Sequence, residues 1–104
     1  MSERIDKIKE FLKLTPDDDF LKHALALEYI KIDNNKEARK LFEEILINNP
    51  DYVGSYYHLA KLLERNNEIK LATEWYEKGM AAAKKAGDNR AYNELHAAYE
   101  ELIY

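Results

Sequence analysis

The chain has 104 residues, of which 16 are basic and 20 acidic, for a net charge of −4; it holds 3 glycines, 2 prolines and no cysteine. This length allows one domain with a core of its own. The acidic balance lacks the basic footprint of a nucleic-acid binder, and the missing thiols exclude a disulfide framework and a thiolate metal site.

Up to Tyr52 there are 9 basic and 12 acidic residues, and beyond it 7 and 8, so neither half is a charged tail. Met1 to Asp6 carry no continuous apolar stretch of the kind that opens a secretory leader. No run approaches the roughly 20 apolar residues of a membrane span. With the missing cysteines, this points to the cytoplasm and away from membranes. Scarce glycine and proline, with plentiful Glu, Lys, Leu and Ala, favour helix nearly throughout.

A first helix is expected over residues 3–13, with Ile5, Ile8, Phe11 and Leu12 on one face and Ser2 as N-cap. Thr15-Pro16 breaks it. Asp17 to Asp19 offer caps for a second helix, about 18–32. Asp33-Asn34-Asn35 forms a turn, because Asn tolerates a left-handed backbone and Asp or Asn caps the next helix. The third helix spans about 36–48 and turns Ala38, Leu41, Phe42, Ile45 and Leu46 inward. Asn48-Asn49-Pro50-Asp51 ends it. The fourth, about 53–65, gives Tyr56, Leu59, Ala60 and Leu63 to the core, and Asn66-Asn67 turns the chain again. The fifth, about 69–86, carries Trp75 and Tyr76 as core aromatics and runs through Lys84 to Gly87, a C-terminal glycine. Asp88 caps a sixth helix that reaches about Ile103.

These elements repeat. Leu25, Ala26, Ala38 and Phe42 return 34 residues later as Leu59, Ala60, Ala72 and Tyr76. Ile8, Phe11, Leu12 and Pro16 lie the same 34 residues before Phe42, Ile45, Leu46 and Pro50. The order Leu-small-x-x-Tyr, Ala-x-x-x-Phe, Pro resembles the tetratricopeptide repeat, a helix–turn–helix unit. The resemblance implies an all-α fold, a right-handed superhelical array of antiparallel helix hairpins with about six helices. It divides a single domain, 1–104, into an N-terminal half-repeat helix (3–16), a first repeat (19–52), a second repeat (53–86) and a C-terminal capping helix (88–104). Departures are Lys22, where the family favours a large aromatic, Leu63 for Tyr, Gly79 for Ala, Lys84 for Pro, and His96 in place of a small residue.

In the family the unused faces of the first helices line a concave groove for extended or helical peptides. Carried over, that face holds Phe20, His23, Leu27, Ile30 and Lys31, then Tyr57, His58, Lys61, Glu64 and Arg65, then Arg90, Asn93, Ala97 and Glu100. Within it, His23, Leu27, Ile30, Tyr57, Lys61, Glu64, Arg65 and Asn93 are the candidate peptide-binding residues. Leu27, Ile30 and Tyr57 would form an apolar patch rimmed by Lys61 and Arg65. One subgroup clamps terminal carboxylates with Lys, Asn, Asn, Lys and Arg. The matching positions here are His23, Leu27, His58, Arg90 and Glu94, of which Arg90 alone agrees, so a clamp is not expected.

Catalytic and metal chemistry find little support. No histidine has a Glu three residues before it (those residues are Phe20, Ser55 and Asn93) or a His four residues on. His23 and His58 could meet in the groove, but polar surface is the better reading, and no metal or cofactor is expected. Ser2, Thr15, Ser55 and Thr73 sit at caps or helix surfaces without a triad-like setting. The pairs Glu43-Glu44 and Glu100-Glu101 read as solvated helix faces. The sequence therefore points to a non-enzymatic scaffold for a protein or peptide, monomeric or weakly dimeric. The alternative is a structural module that self-associates through its end faces, to which Ile103-Tyr104 would add apolar area.

Overall fold

A computed structural model describes residues 2–104; Met1 lies outside the described residues. Six helices follow one another: α1 (Glu3–Leu14), α2 (Asp19–Lys31), α3 (Asn35–Asn48), α4 (Gly54–Arg65), α5 (Ile69–Ala86) and α6 (Asn89–Ile103). No strand occurs among the described residues. The fold is an all-α helical array, as the periodicity predicts, and α5 passes through Lys84 unbroken.

Side-chain caps start four of the helices. Ser2, Asp18, Asn34 and Asp88 each accept a hydrogen bond from the backbone N–H three residues on, at 3.0–3.3 Å. Three helices end in one geometry. After α2, Asn34 N–H donates to Tyr29 C=O and Asp33 N–H to Ile30 C=O. After α4, Glu68 and Asn67 do the same to Leu63 and Glu64; after α5, Asp88 and Gly87 do so to Ala83 and Lys84. This paired closure needs a left-handed residue at its pivot. Asp33 (φ 61°), Asn67 (φ 61°) and Gly87 (φ 70°) supply it. In the first turn Asp33 takes the left-handed position and Asn34 the cap.

The short connections make successive helices antiparallel neighbours. The broadest contacts join α2 to α3, α4 to α5 and α5 to α6, and α4 also reaches α6. Ala26, Ala38, Ala60 and Ala72 are completely buried, so helix backbones approach closely there. Phe42, Ile45, Leu59, Leu63 and Tyr76 fill the space between them. Gly79 belongs to the same set: a Cβ built on it would lie 2.7 Å from Tyr56 Cβ and 3.1 Å from Leu95 Cδ1. Lys22 buries its stem where an aromatic would stand and brings its ammonium 3.1 Å from Glu44.

Two expectations are corrected. Phe11, placed on the inward face, is 58% exposed, whereas Ile45, its counterpart 34 residues on, is 0% exposed. The reason is position: α3 packs broadly against both α2 and α4, whereas the broad contact of α1 is with α2. Ser55, assigned to a cap or surface, is fully buried, because it faces His23 of α2. Trp75 packs against the core as expected, at its margin and half-buried. It lies in a furrow of about 610 Å³ between α3 and α5, with Lys78 Nζ 4.6 Å from its ring centroid.

Candidate functional site

α2 and α4 touch near their first turns and leave a space between their later turns. The touching point is polar and aromatic. His23 Nδ1 lies 2.8 Å from Ser55 Oγ, and the His23 ring meets His58 edge-on with centroids 5.5 Å apart. Phe42 stacks on His58 at 5.8 Å, and Tyr52 closes the other side of His23. Burial, together with the neighbouring His58, pushes His23 down to about 4 from the usual 6.5. Burial and the Arg65 charge also lower His58, against a smaller opposing pull from Glu94. Both imidazoles are therefore neutral near pH 7. They do approach each other, yet no group of three His, Asp or Glu gathers as metal ligands among the described residues.

Beyond that contact the helices enclose a depression of about 660 Å³. Leu27, Ile30 and Lys31 line it from α2; Tyr57, His58, Lys61, Glu64 and Arg65 line it from α4. Helical spacing explains the set. Tyr57, Lys61, Glu64 and Arg65 recur at three or four residues, on the flank of α4 that Leu59 and Leu63 leave free. Of the candidate residues, the structure brings Leu27, Ile30, Tyr57, Lys61, Glu64 and Arg65 together here. His23 sits behind the wall in its contact with Ser55. Asn93 is exposed on α6 and is not part of the lining.

The charges around the depression are unevenly engaged. Lys31 Nζ is 3.0 Å from Glu28, and Lys61 Nζ is 3.5 Å from Glu64 and 5.6 Å from the Tyr57 centroid. Glu64 also accepts a hydrogen bond from the Tyr76 hydroxyl, which burial and this carboxylate hold well above the usual phenol range. Glu64 thus helps to fix α4 against α5. Arg65 is exposed and makes no ion pair among the described residues. It is the lining cation most available to a ligand.

No family model matches the chain. Among solved structures, a tetratricopeptide repeat domain protein from Salinibacter ruber is 41% identical in sequence, with a TM-score of 0.80, over 84% of this chain and 88% of that one. This chain belongs to the tetratricopeptide repeat family. A crystal structure of the Salinibacter ruber domain gives the same identity and TM-score over 83% of this chain and 96% of the other. A Bordetella parapertussis protein matches over 99% of the chain with a TM-score of 0.84, but at 23% identity this likeness concerns the fold alone. Among curated proteins, human and mouse aspartyl/asparaginyl beta-hydroxylase are 26% and 25% identical over 96 residues. That stretch is 91% of this chain and only 13% of each hydroxylase. As a tetratricopeptide repeat protein, the chain has the architecture of a protein-interaction scaffold. No helix among its described residues is long and apolar enough to cross a membrane.

Proposed function

We propose that this tetratricopeptide repeat protein is a non-enzymatic scaffold that holds a peptide segment of a partner protein in the depression between α2 and α4. The observation that carries this reading is the lining itself. Half-buried Leu27, Ile30 and Tyr57 offer apolar contact, and the unpaired Arg65 stands at the edge. The apolar side chains supply most of the affinity. Arg65 orients an acidic group through two parallel hydrogen bonds.

The test begins with an unbiased pull-down by the purified chain. Tyr57→Ala is expected to weaken the captured partner by about 2 kcal/mol or more, since buried aromatics are the usual anchors. Arg65→Ala is expected chiefly to slow association and flatten its salt dependence. If Tyr57→Ala remains folded by circular dichroism and binds with unchanged affinity, the groove assignment is wrong.

A second reading, self-association through the end faces, is favoured by the exposure of Phe11, Leu14 and Phe20, with Ile103 and Tyr104 also exposed. Mass measurement across a concentration series addresses it. A monomer mass at every concentration would remove it.

A further inference from the structure

The furrow between α3 and α5 shares no lining residue with the depression between α2 and α4. Its walls are apolar: Trp75, Ala81 and Ala82 from α5, and Ile47, 74% exposed, from α3. An exposed apolar hollow of this kind marks a contact surface. Its rim is basic. Lys78, held over the Trp75 ring, makes no ion pair among the described residues. Lys85 meets Asp51 at 3.3 Å, but both are exposed, and such a pair is worth little and exchanges easily. From Lys78 to Ala86 the chain has three lysines and no acid, although its net charge is −4. The furrow therefore suits an apolar protrusion flanked by acids.

The same chain carries such a protrusion. The turn from α1 to α2 exposes Leu14 (80%) and Phe20 (70%) on either side of Asp17-Asp18-Asp19. From Leu14 to Leu21 there are three acids and no base, and none of the three forms an ion pair among the described residues. The turn is held in shape: Asp18 accepts from Leu21 N–H at 3.0 Å, and Asp19 from the Asn49 side chain at 3.1 Å. A tip fixed in this way loses little freedom on docking.

Tip and furrow also lie along one edge of the array. Successive helices are antiparallel, so the α1–α2 and α3–α4 turns fall on the same side, where Asn49 meets Asp19. The Lys85–Asp51 contact brings the end of α5 to that edge. Two copies related by a two-fold axis there can each offer a tip to the other's furrow, the self-complementary arrangement of a closed dimer. Every contact then occurs twice, which doubles the area buried.

We infer that the furrow between α3 and α5 seats the α1–α2 turn of a second copy of this chain. Leu14 and Phe20 pack on Trp75 and Ile47, and the aspartates face Lys78 and Lys85. This rests on the self-association reading for a second copy as occupant, and it moves the contact away from Ile103 and Tyr104.

The experiment is sedimentation equilibrium of the whole chain across a concentration series, at low and at high salt. A dimer that weakens with salt is expected. Phe20→Ser and Ile47→Ser, both at exposed positions, should each weaken it about tenfold or more while circular dichroism stays unchanged. Asp17→Lys and Lys78→Glu should each self-associate poorly. Mixed in equal amounts they should recover a dimer, because each contact then joins opposite charges. Recovery in the mixture supports tip-in-furrow contact, since neither variant alone supplies it. A monomer mass at every concentration overturns both this inference and the end-face reading. A dimer that survives Phe20→Ser and Ile47→Ser but is lost in Tyr104→Ser overturns this inference and keeps the end-face reading. The groove reading stands apart, because it is tested by partner binding of Tyr57→Ala.

Discussion

His23 Nδ1 and the buried Ser55 hydroxyl meet 2.8 Å apart, where α2 and α4 close on each other. Burial of the ring among Phe42, Tyr52 and His58 favours the neutral imidazole. Its protonation therefore opposes folding. The folded-state value of about 4 lies below the 6.5 of an unperturbed histidine, so the unfolded chain binds the extra proton first. Stability from this group is complete above about 6.5 and is lost as pH falls towards 4. His58 acts in the same direction. Thermal melts between about pH 7 and pH 4 should show a falling midpoint, and His23→Gln should have a flatter profile across that window. Equal slopes for the two proteins would exclude His23 as a source of the acid sensitivity.

Ala60 has no exposed surface, like its counterpart Ala26 34 residues before it. A larger side chain must push α4 from its neighbours or leave its rotamer. Ala60→Leu is expected to cost roughly 1–3 kcal/mol. In a domain of this size that lowers the melting midpoint by at least about 4 °C. An unchanged midpoint would mean that the helices separate there without cost.

Much of this fold is legible in the sequence because a helical array is built from local signals. Most helices carry their own cap, apolar face and turn residue, and the 34-residue period repeats them. Expectation and structure part where one helix depends on another distant in the chain. Phe11 has the right spacing for burial, but no sequence pattern says that α1 has a broad contact with α2 and none with a second helix. Ser55 looks like a surface residue until α2 brings His23 against it, 32 residues away in sequence. The groove residues on α4 are readable because one helix face presents them together. Nothing in the sequence links Ile47 to Trp75 and Lys78, because their meeting depends on how the end of α3 lies beside α5.

The three matching helix ends give a test of local backbone chemistry. Asp33 and Asn67 hold the left-handed conformation without glycine, and both side chains are exposed. Asn and Asp tolerate this region better than Ala, and glycine enters it freely. Gly87→Ala and Asn67→Ala are each expected to destabilise by about 1 kcal/mol. Asn67→Gly should be neutral or stabilising, because relief in the folded state offsets the freer unfolded chain. Denaturant unfolding of the three variants checks this. A loss in Asn67→Gly as large as in Asn67→Ala would show that the Asn side chain, not the backbone angle, holds the turn.

Gly79 poses the opposite problem, since it lies in the middle of α5, where glycine weakens a helix. By propensity alone, Gly79→Ala should gain about 1 kcal/mol. Packing opposes that gain. The added methyl would stand 2.7 Å from Tyr56 Cβ, which is bonded directly to the backbone of α4 and cannot swing away. Leu95 Cδ1, at 3.1 Å, can rotate, so the clash with Tyr56 decides the outcome. Relief requires α4 and α5 to move apart along one of the broadest contacts in the molecule. Overpacking of this kind costs about 1–3 kcal/mol and outweighs the propensity term at its upper range. Gly79→Ala is therefore expected to be less stable by about 1 kcal/mol, with Gly79→Val worse again. Chemical unfolding of the two variants gives the answer. A stabilised Gly79→Ala would show that α4 and α5 can yield, and that the close approach at Tyr56 is not what requires glycine.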